Sequence, residues 1–169
     1  MSEAMNWGSL AGGERIAARL REQAEDVRRL TSGLPEEQLA RRVVPDKWSL
    51  KELVCHLHRV QQVFEARIDA MLREDTPEIE PYEPDEDSDF EKMAARPGAA
   101  ALSSFFNDRE KFVRRLEGLA PEDWLRAGVH PEFPDFGIRF QAEYMAHHEA
   151  HHIYQIFQRR SQLNRSAGV

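Results

Sequence analysis

The sequence predicts an all-α protein, a four-helix bundle with a long crossover between helices two and three. Three observations carry that expectation. Four long stretches place apolar residues at three- and four-residue steps, and no stretch shows the two-residue alternation of a half-buried strand. An acidic, proline-containing segment separates the second stretch from the third and is long enough for a crossover connection.

Composition sets the outer bounds. A chain of 169 residues with 41% hydrophobic content can bury one good core, so a single domain over residues 1–169 is expected. The net charge is -7 and the basic residues are dispersed among acids, which argues against nucleic acid as a partner. No apolar run approaches the roughly 20 residues of a membrane span. The N-terminal stretch lacks the basic-then-apolar pattern of a signal peptide. Cys55 is the single cysteine and has no internal disulfide partner, which fits a reducing, cytoplasmic setting.

The first helix is expected over residues 13–32, with Ile16, Leu20, Ala24, Val27 and Leu30 on its apolar face. Gly33 is placed to take the left-handed residue after it. Pro35 can start a short helical turn, and Pro45 interrupts any continuation. Ser49 with Glu52 three residues on reads as a capping box, so the second helix begins there. Its stripe runs Leu50, Leu53, Leu57, Val60, Phe64, Ile68 and Met71. His56 flanks that stripe and points inward, whereas His58 lies on a more exposed side. Cys55 is read as a packed small apolar residue.

Residues 75–91 carry three prolines among acids and are expected to form a solvated loop. The third helix runs from about Pro97 to Gly118, its core side supplied by Leu102, Phe105, Phe106, Phe112, Val113 and Leu116. The segment Gly33–Leu39 is weakly echoed by Gly118–Leu125, each following a long amphipathic helix. The echo suggests two similar helix pairs facing each other. A turn-rich connector, residues 126–137, contains His130, read as a solvated loop histidine. The fourth helix is expected over about 137–162, with residues 1–12 and 163–169 as loose termini.

The chemistry is concentrated in the fourth helix, where His147, His148, His151 and His152 fall within six residues. Residues four apart share a helix face, so His147/His151 and His148/His152 are alternative chelating pairs on adjacent faces. One seam reads Met145, His148, His152, Ile156, and the other reads Phe140, Tyr144, His147, His151, Tyr154. Both seams are apolar enough that periodicity alone does not choose, and the pattern gives a modest preference for His148/His152. Joined by His56, that pair makes a three-histidine set with open coordination positions, the composition of a reactive metal site. Zinc and nickel both accept imidazole. Glu149 and Glu143 read as helix-surface charges, with Glu149 alternatively an outer acceptor or base. Trp48 and the loop from Phe133 to Phe136 are candidate pocket walls, or ordinary core.

Two motifs resemble those of a known family. Trp48-Ser49-Leu50-Lys51-Glu52-Leu53-Val54-Cys55-His56-Leu57 is similar to the W-S-x-x-E-x-x-x-H-L opening of helix two in the DinB/YfiT-like superfamily. His148-Glu149-Ala150-His151-His152-Ile153-Tyr154-Gln155 resembles its later H-x-x-H-H-x-x-Q run. The resemblance covers nearly the whole chain and implies a four-helix bundle holding one divalent metal through His56, His148 and His152. It also implies a homodimer, and an activity among those of the family: transfer chemistry with a low-molecular-weight thiol, or metal-dependent hydrolysis. Ile153-Tyr154 stand where the commoner transferase motif, H-H-R-G-Q, has Arg-Gly. A metal of this kind can deprotonate a bound thiol, or lower the pKa of bound water to produce a hydroxide nucleophile. The lead expectation is thus a metal-dependent thiol transferase acting on a small molecule. A hydrolase and a non-catalytic metal-binding stress protein are the alternatives.

Overall fold

The computed structural model describes residues 10–166 and is helical throughout its core. Four long helices form the bundle: α1 (Gly13–Thr31), α3 (Leu50–Arg73), α5 (Gly98–Glu117) and α6 (Ile138–Ser166). Two short ones, α2 (Glu36–Ala40) and α4 (Ser88–Ala94), lie in the connections. Local signals set the boundaries. Ser49 accepts from the Glu52 backbone N–H while the Glu52 carboxylate accepts from that of Ser49, closing the capping box that starts α3. Gly33 takes φ +73 just past α1, where a side chain would be strained.

The long helices pair in an interleaved order. Both α1 and α3 pack along α5 and α6, so the consecutive pairs α1/α3 and α5/α6 occupy the two diagonals. The echoing segments become short helical turns, α2 after α1 and a 3₁₀ turn at Asp123–Leu125 after α5. Apolar side chains fill two clusters. One contains Leu20, Phe64, Ile68, Phe112, Leu116 and Met145. The other contains Val27, Leu53, Leu57, Phe105, Ile156 and Leu163. Burial of such side chains is worth about 1.5–3 kcal/mol each relative to exposure, so these clusters dominate the fold's stability.

Four sequence expectations need correction. Residues 163–166 are the last turn of α6, held by Leu163 in the core rather than fraying. Residues 10–12 are tethered: the Ala11 N–H donates to Glu143 at 2.7 Å, Arg139 donates to the Ala11 carbonyl at 2.7 Å, and Gly12 caps α1. Residues 1–9 and 167–169, the rest of the expected loose ends, lie outside the described residues. The crossover is only partly a solvated loop. Ile79 is buried, and Ile79 N–H donates to the Val129 carbonyl while Val129 N–H donates to that of Pro77, both at 2.8 Å. This pairing stitches the crossover to the connector before α6. Gly128 sits at the seam, where a Cβ would come within 2.9 Å of the Ile79 side chain.

The fourth correction concerns His58, which is 3% exposed and bonded through Nε2 to Asp108 of α5 at 2.8 Å. The face expected to be exposed is covered because α3 is flanked by α5 as well as by α6.

Candidate metal centre

Helix α3 supplies His56, and α6, packed against it, supplies His148 and His152 one turn apart. Their ring nitrogens converge. His148 Nε2 lies 3.4 Å from His56 Nε2 and 3.1 Å from His152 Nε2, and the possible donor atoms all fall within 4.8 Å of one another. Two imidazole nitrogens on a tetrahedral ion with bonds of about 2.0–2.1 Å stand about 3.3 Å apart. The donor set therefore fits a divalent ion of that size. His147 and His151, the competing pair, are both exposed and outside the cluster. Cys55 packs in the core with its thiol pushed up to about 11 by burial, and the cluster includes neither it nor a carboxylate.

Burial keeps the three rings neutral, the form that binds metal. His56 is pushed down to about 3, by burial first and then by the adjacent His152 and His148. His148 is pushed down to about 4 by burial, with His152 and His151 adding to it. His152 is also lowered by burial, against an opposing bond to Gln155. That bond sets its tautomer. The Gln155 side-chain oxygen can only accept, so His152 Nδ1, 2.8 Å away, carries the proton and leaves the Nε2 lone pair bare toward the cluster. A second outward nitrogen, His148 Nδ1, is buried without a partner among the described residues.

The cluster forms the end of a cleft of about 180 Å³ between α3 and α6. One wall is a stripe of α3, His56, Val60, Phe64 and Arg67, and the other is Phe140, Tyr144 and His148 of α6. Phe140 and Tyr144 thus belong to the His148 face, four residues apart, and the seam drawn through His147 splits. The connector and the crossover roof the cleft with Phe133, Phe136, His130 and Tyr82. His130 is buried, not solvated, and stacks on Phe136 with ring centroids 4.9 Å apart. Of the candidate pocket walls, Phe133 and Phe136 line this cleft. Trp48 packs on His56 at 4.8 Å between centroids and instead borders a second, separate opening, with Lys47, His152, Gln155 and Arg159.

Glu149 departs furthest from expectation. It is 1% exposed and forms a two-pronged pair with Arg109 of α5, itself 1% exposed. Arg109 also donates to the Gln61 side chain of α3 at 2.6 Å and to the Leu20 carbonyl of α1 at 3.1 Å. One guanidinium thereby joins all four long helices. Glu149 is neither a surface charge nor free to act as a base at the cluster.

A helical bundle with interleaved diagonals, carrying three convergent imidazoles at the end of an apolar cleft, defines a candidate metal-binding class. The chain belongs to the DinB superfamily, whose family model matches residues 19–156. It is 24% identical over 148 residues to YuaE of Bacillus subtilis (strain 168), described as an uncharacterized protein; the match covers 79% of this chain and 90% of YuaE. In fold it is similar to YfiT from Bacillus subtilis, described as a probable metal-dependent hydrolase with an unusual four-helix bundle topology. That likeness has a TM-score of 0.72 at 18% identity and covers 97% of this chain and 92% of YfiT. Among the described residues, no helix is long and apolar enough to cross a membrane.

Proposed function

We propose that the protein is a metal-dependent hydrolase of small, largely apolar substrates, with His56, His148 and His152 as the ligands of one divalent ion, zinc or nickel. The observation that supports this most is the convergence of three neutral Nε2 atoms at the end of an aromatic cleft. Three protein ligands leave a position for water or substrate, unlike the four of a structural site. An ion held there would supply Lewis acidity and lower the pKa of bound water. The protein's own part is positional. Gln155 holds the His152 tautomer, and Trp48 packs against the face of His56. Phe133, Phe136, Phe140 and Tyr144 bind an apolar substrate body and exclude water from it. That hydrolysis is the first reading also draws on what is said of YfiT.

The second opening favours an alternative. His152 is reached from a side lined by Lys47 and Arg159 with one acid, Asp46, a net cationic lining away from the aromatic cleft. Two approaches to one centre suit two substrates, and the cationic side suits an anionic low-molecular-weight thiol. The alternative is a thiol transferase.

The test begins with metal content of the purified protein beside His56→Ala, His148→Ala and His152→Ala, with His151→Ala as control. About one zinc or nickel per chain is expected in the wild type and the control, and little in the other three. Loss in His151→Ala with retention in His152→Ala would overturn the assignment. Metal-dependent turnover of phenyl-substituted esters or amides would support hydrolysis. A thiolate-to-metal charge-transfer band on adding a bacterial thiol to cobalt-loaded protein would support transfer instead. Neither, with metal bound, would leave a non-catalytic metal protein.

A further inference from the structure

The hydrolase reading leaves one cleft residue unused. Arg67 lies on α3 eleven residues beyond His56, on the same stripe. At about 1.5 Å rise per residue their backbones stand roughly 16 Å apart, three turns along one wall. Arg67 is half-buried. One of its N–H groups donates to the Glu80 carbonyl at 2.7 Å, which ties the crossover to α3. Among the described residues, its remaining N–H groups have no hydrogen-bond partner, and no carboxylate lies within ion-pair distance. Its guanidinium stands 5.5 Å from the Phe64 ring centroid and 5.9 Å from that of Phe136. Burial holds its pKa below the ordinary arginine value, against the opposing influence of Tyr144 and Glu132 nearby. Glu132 is the acidic side chain lining the cleft, but it is exposed and not paired with Arg67.

A second polar group on the wall is also unfilled. Gln141, 1% exposed, donates to the Phe64 carbonyl at 3.0 Å, and its own carbonyl oxygen is buried with no partner among the described residues. A cleft with apolar walls and a few convergent polar groups is the general form of a small-ligand site. A planar guanidinium with free N–H groups recognises a carboxylate by two parallel bonds.

We propose that Arg67 is a specificity-determining residue that anchors the carboxylate of a small aromatic or branched-chain carboxylic acid, whose apolar body lies along Phe64, Phe133 and Phe140 with its far end at the histidine cluster. This rests on the reading of the cleft as the substrate site. It does not rest on the reaction being hydrolysis.

The test is binding rather than turnover. Zinc-loaded protein is titrated with 4-phenylbutanoate and with its neutral partner 4-phenylbutanamide, following the backbone N–H signals of the cleft residues by NMR, a readout that every variant retains. The wild type is expected to bind the acid at least about tenfold more tightly than the amide. Arg67→Gln should erase the preference and leave amide binding within about twofold, and Arg67→Lys should restore part of it. The same preference in His56→Ala would show that the acid is not held by the ion, whatever becomes of the metal reading. Equal binding of acid and amide to the wild type, no binding of either, or a preference that survives in Arg67→Gln would overturn the proposal. Arg67→Gln keeps a donor for the Glu80 carbonyl, and thermal denaturation checks that it folds.

Discussion

The bundle holds two buried polar centres that share a helix but differ in how far they are satisfied. At the Arg109 centre, a cation meets a carboxylate, an amide and a backbone carbonyl, each guanidinium nitrogen facing an acceptor. At the histidine centre, less than one helical turn away on α6, three neutral imidazoles turn ring nitrogens toward one another. The first arrangement is complete without any ligand. The second has donors of one kind only, the arrangement that the proposed ion would complete. Burial of polar groups therefore does not by itself mark chemistry; convergence of like groups does, because within the protein they meet only one another.

Breaking the closed centre should have the largest effect. Arg109→Met leaves Glu149 charged and unpaired at 1% exposure, and loss of one partner of a buried pair costs about 3–5 kcal/mol. The double variant Arg109→Met/Glu149→Leu leaves no buried charge and should recover most of that loss. Urea denaturation of the three proteins measures both numbers. If the single variant costs under about 1 kcal/mol, the centre is not the brace described. Metal content should survive in the double variant, which would separate structural support from ligation.

The open centre should respond instead to pH. In the metal-free protein His56 titrates near 3 and His148 near 4, whereas in an unfolded chain each titrates near 6.5. Below about pH 6.5 the unfolded chain therefore takes up protons that the folded chain refuses. Stability from these groups is complete above that pH and is lost as pH falls toward 4 and then 3, with a slope of at most about 1.4 kcal/mol per pH unit for each. Denaturation of EDTA-treated wild type and His56→Phe between pH 7.5 and 5 tests this. The variant should lose less stability on acidification, and parallel curves would show that His56 is not held neutral by the fold.

The two centres also differ in how legible they were in the sequence. The capping box at Ser49 and Glu52 is local, so its three-residue spacing was enough to start α3 correctly. His56, His148 and His152 can be grouped because His148 and His152 lie on an apolar seam and His56 flanks one, pointing inward, and the seams of facing helices meet. Glu149 reads in the sequence as a helix-surface charge, alternatively an outer acceptor or base, and no sequence signal singles out Arg109. Their pairing exists only once α5 and α6 are placed across a diagonal, where they face each other through the core. His58 was misplaced for a related reason: a single-stripe reading of α3 leaves out the second buried face that α5 covers. Buried His130 and the stitched crossover depend on loop pairing between residues 77–79 and 127–129, which carries no periodic signal.

The smallest expected effect probes the boundary between the two kinds of centre. Among the described residues, Gln155 is the one side chain outside the cluster that hydrogen-bonds to it, accepting from His152 Nδ1 at 2.8 Å. Gln155→Leu removes that acceptor and frees the ring to reorient, or to place its proton on Nε2, where it would block ligation. Outer partners of this kind typically change metal affinity by about 10–100-fold. The lower end is expected here, because Gln155 sits beside an opening to solvent that can lend a substitute acceptor. Gln155→Glu keeps an acceptor, adds negative charge, and should bind zinc at least as tightly as the wild type. Competition with a chromophoric chelator ranks the three proteins, with stoichiometry near one throughout. An unchanged affinity in Gln155→Leu would mean that packing against Trp48, and not this hydrogen bond, orients His152.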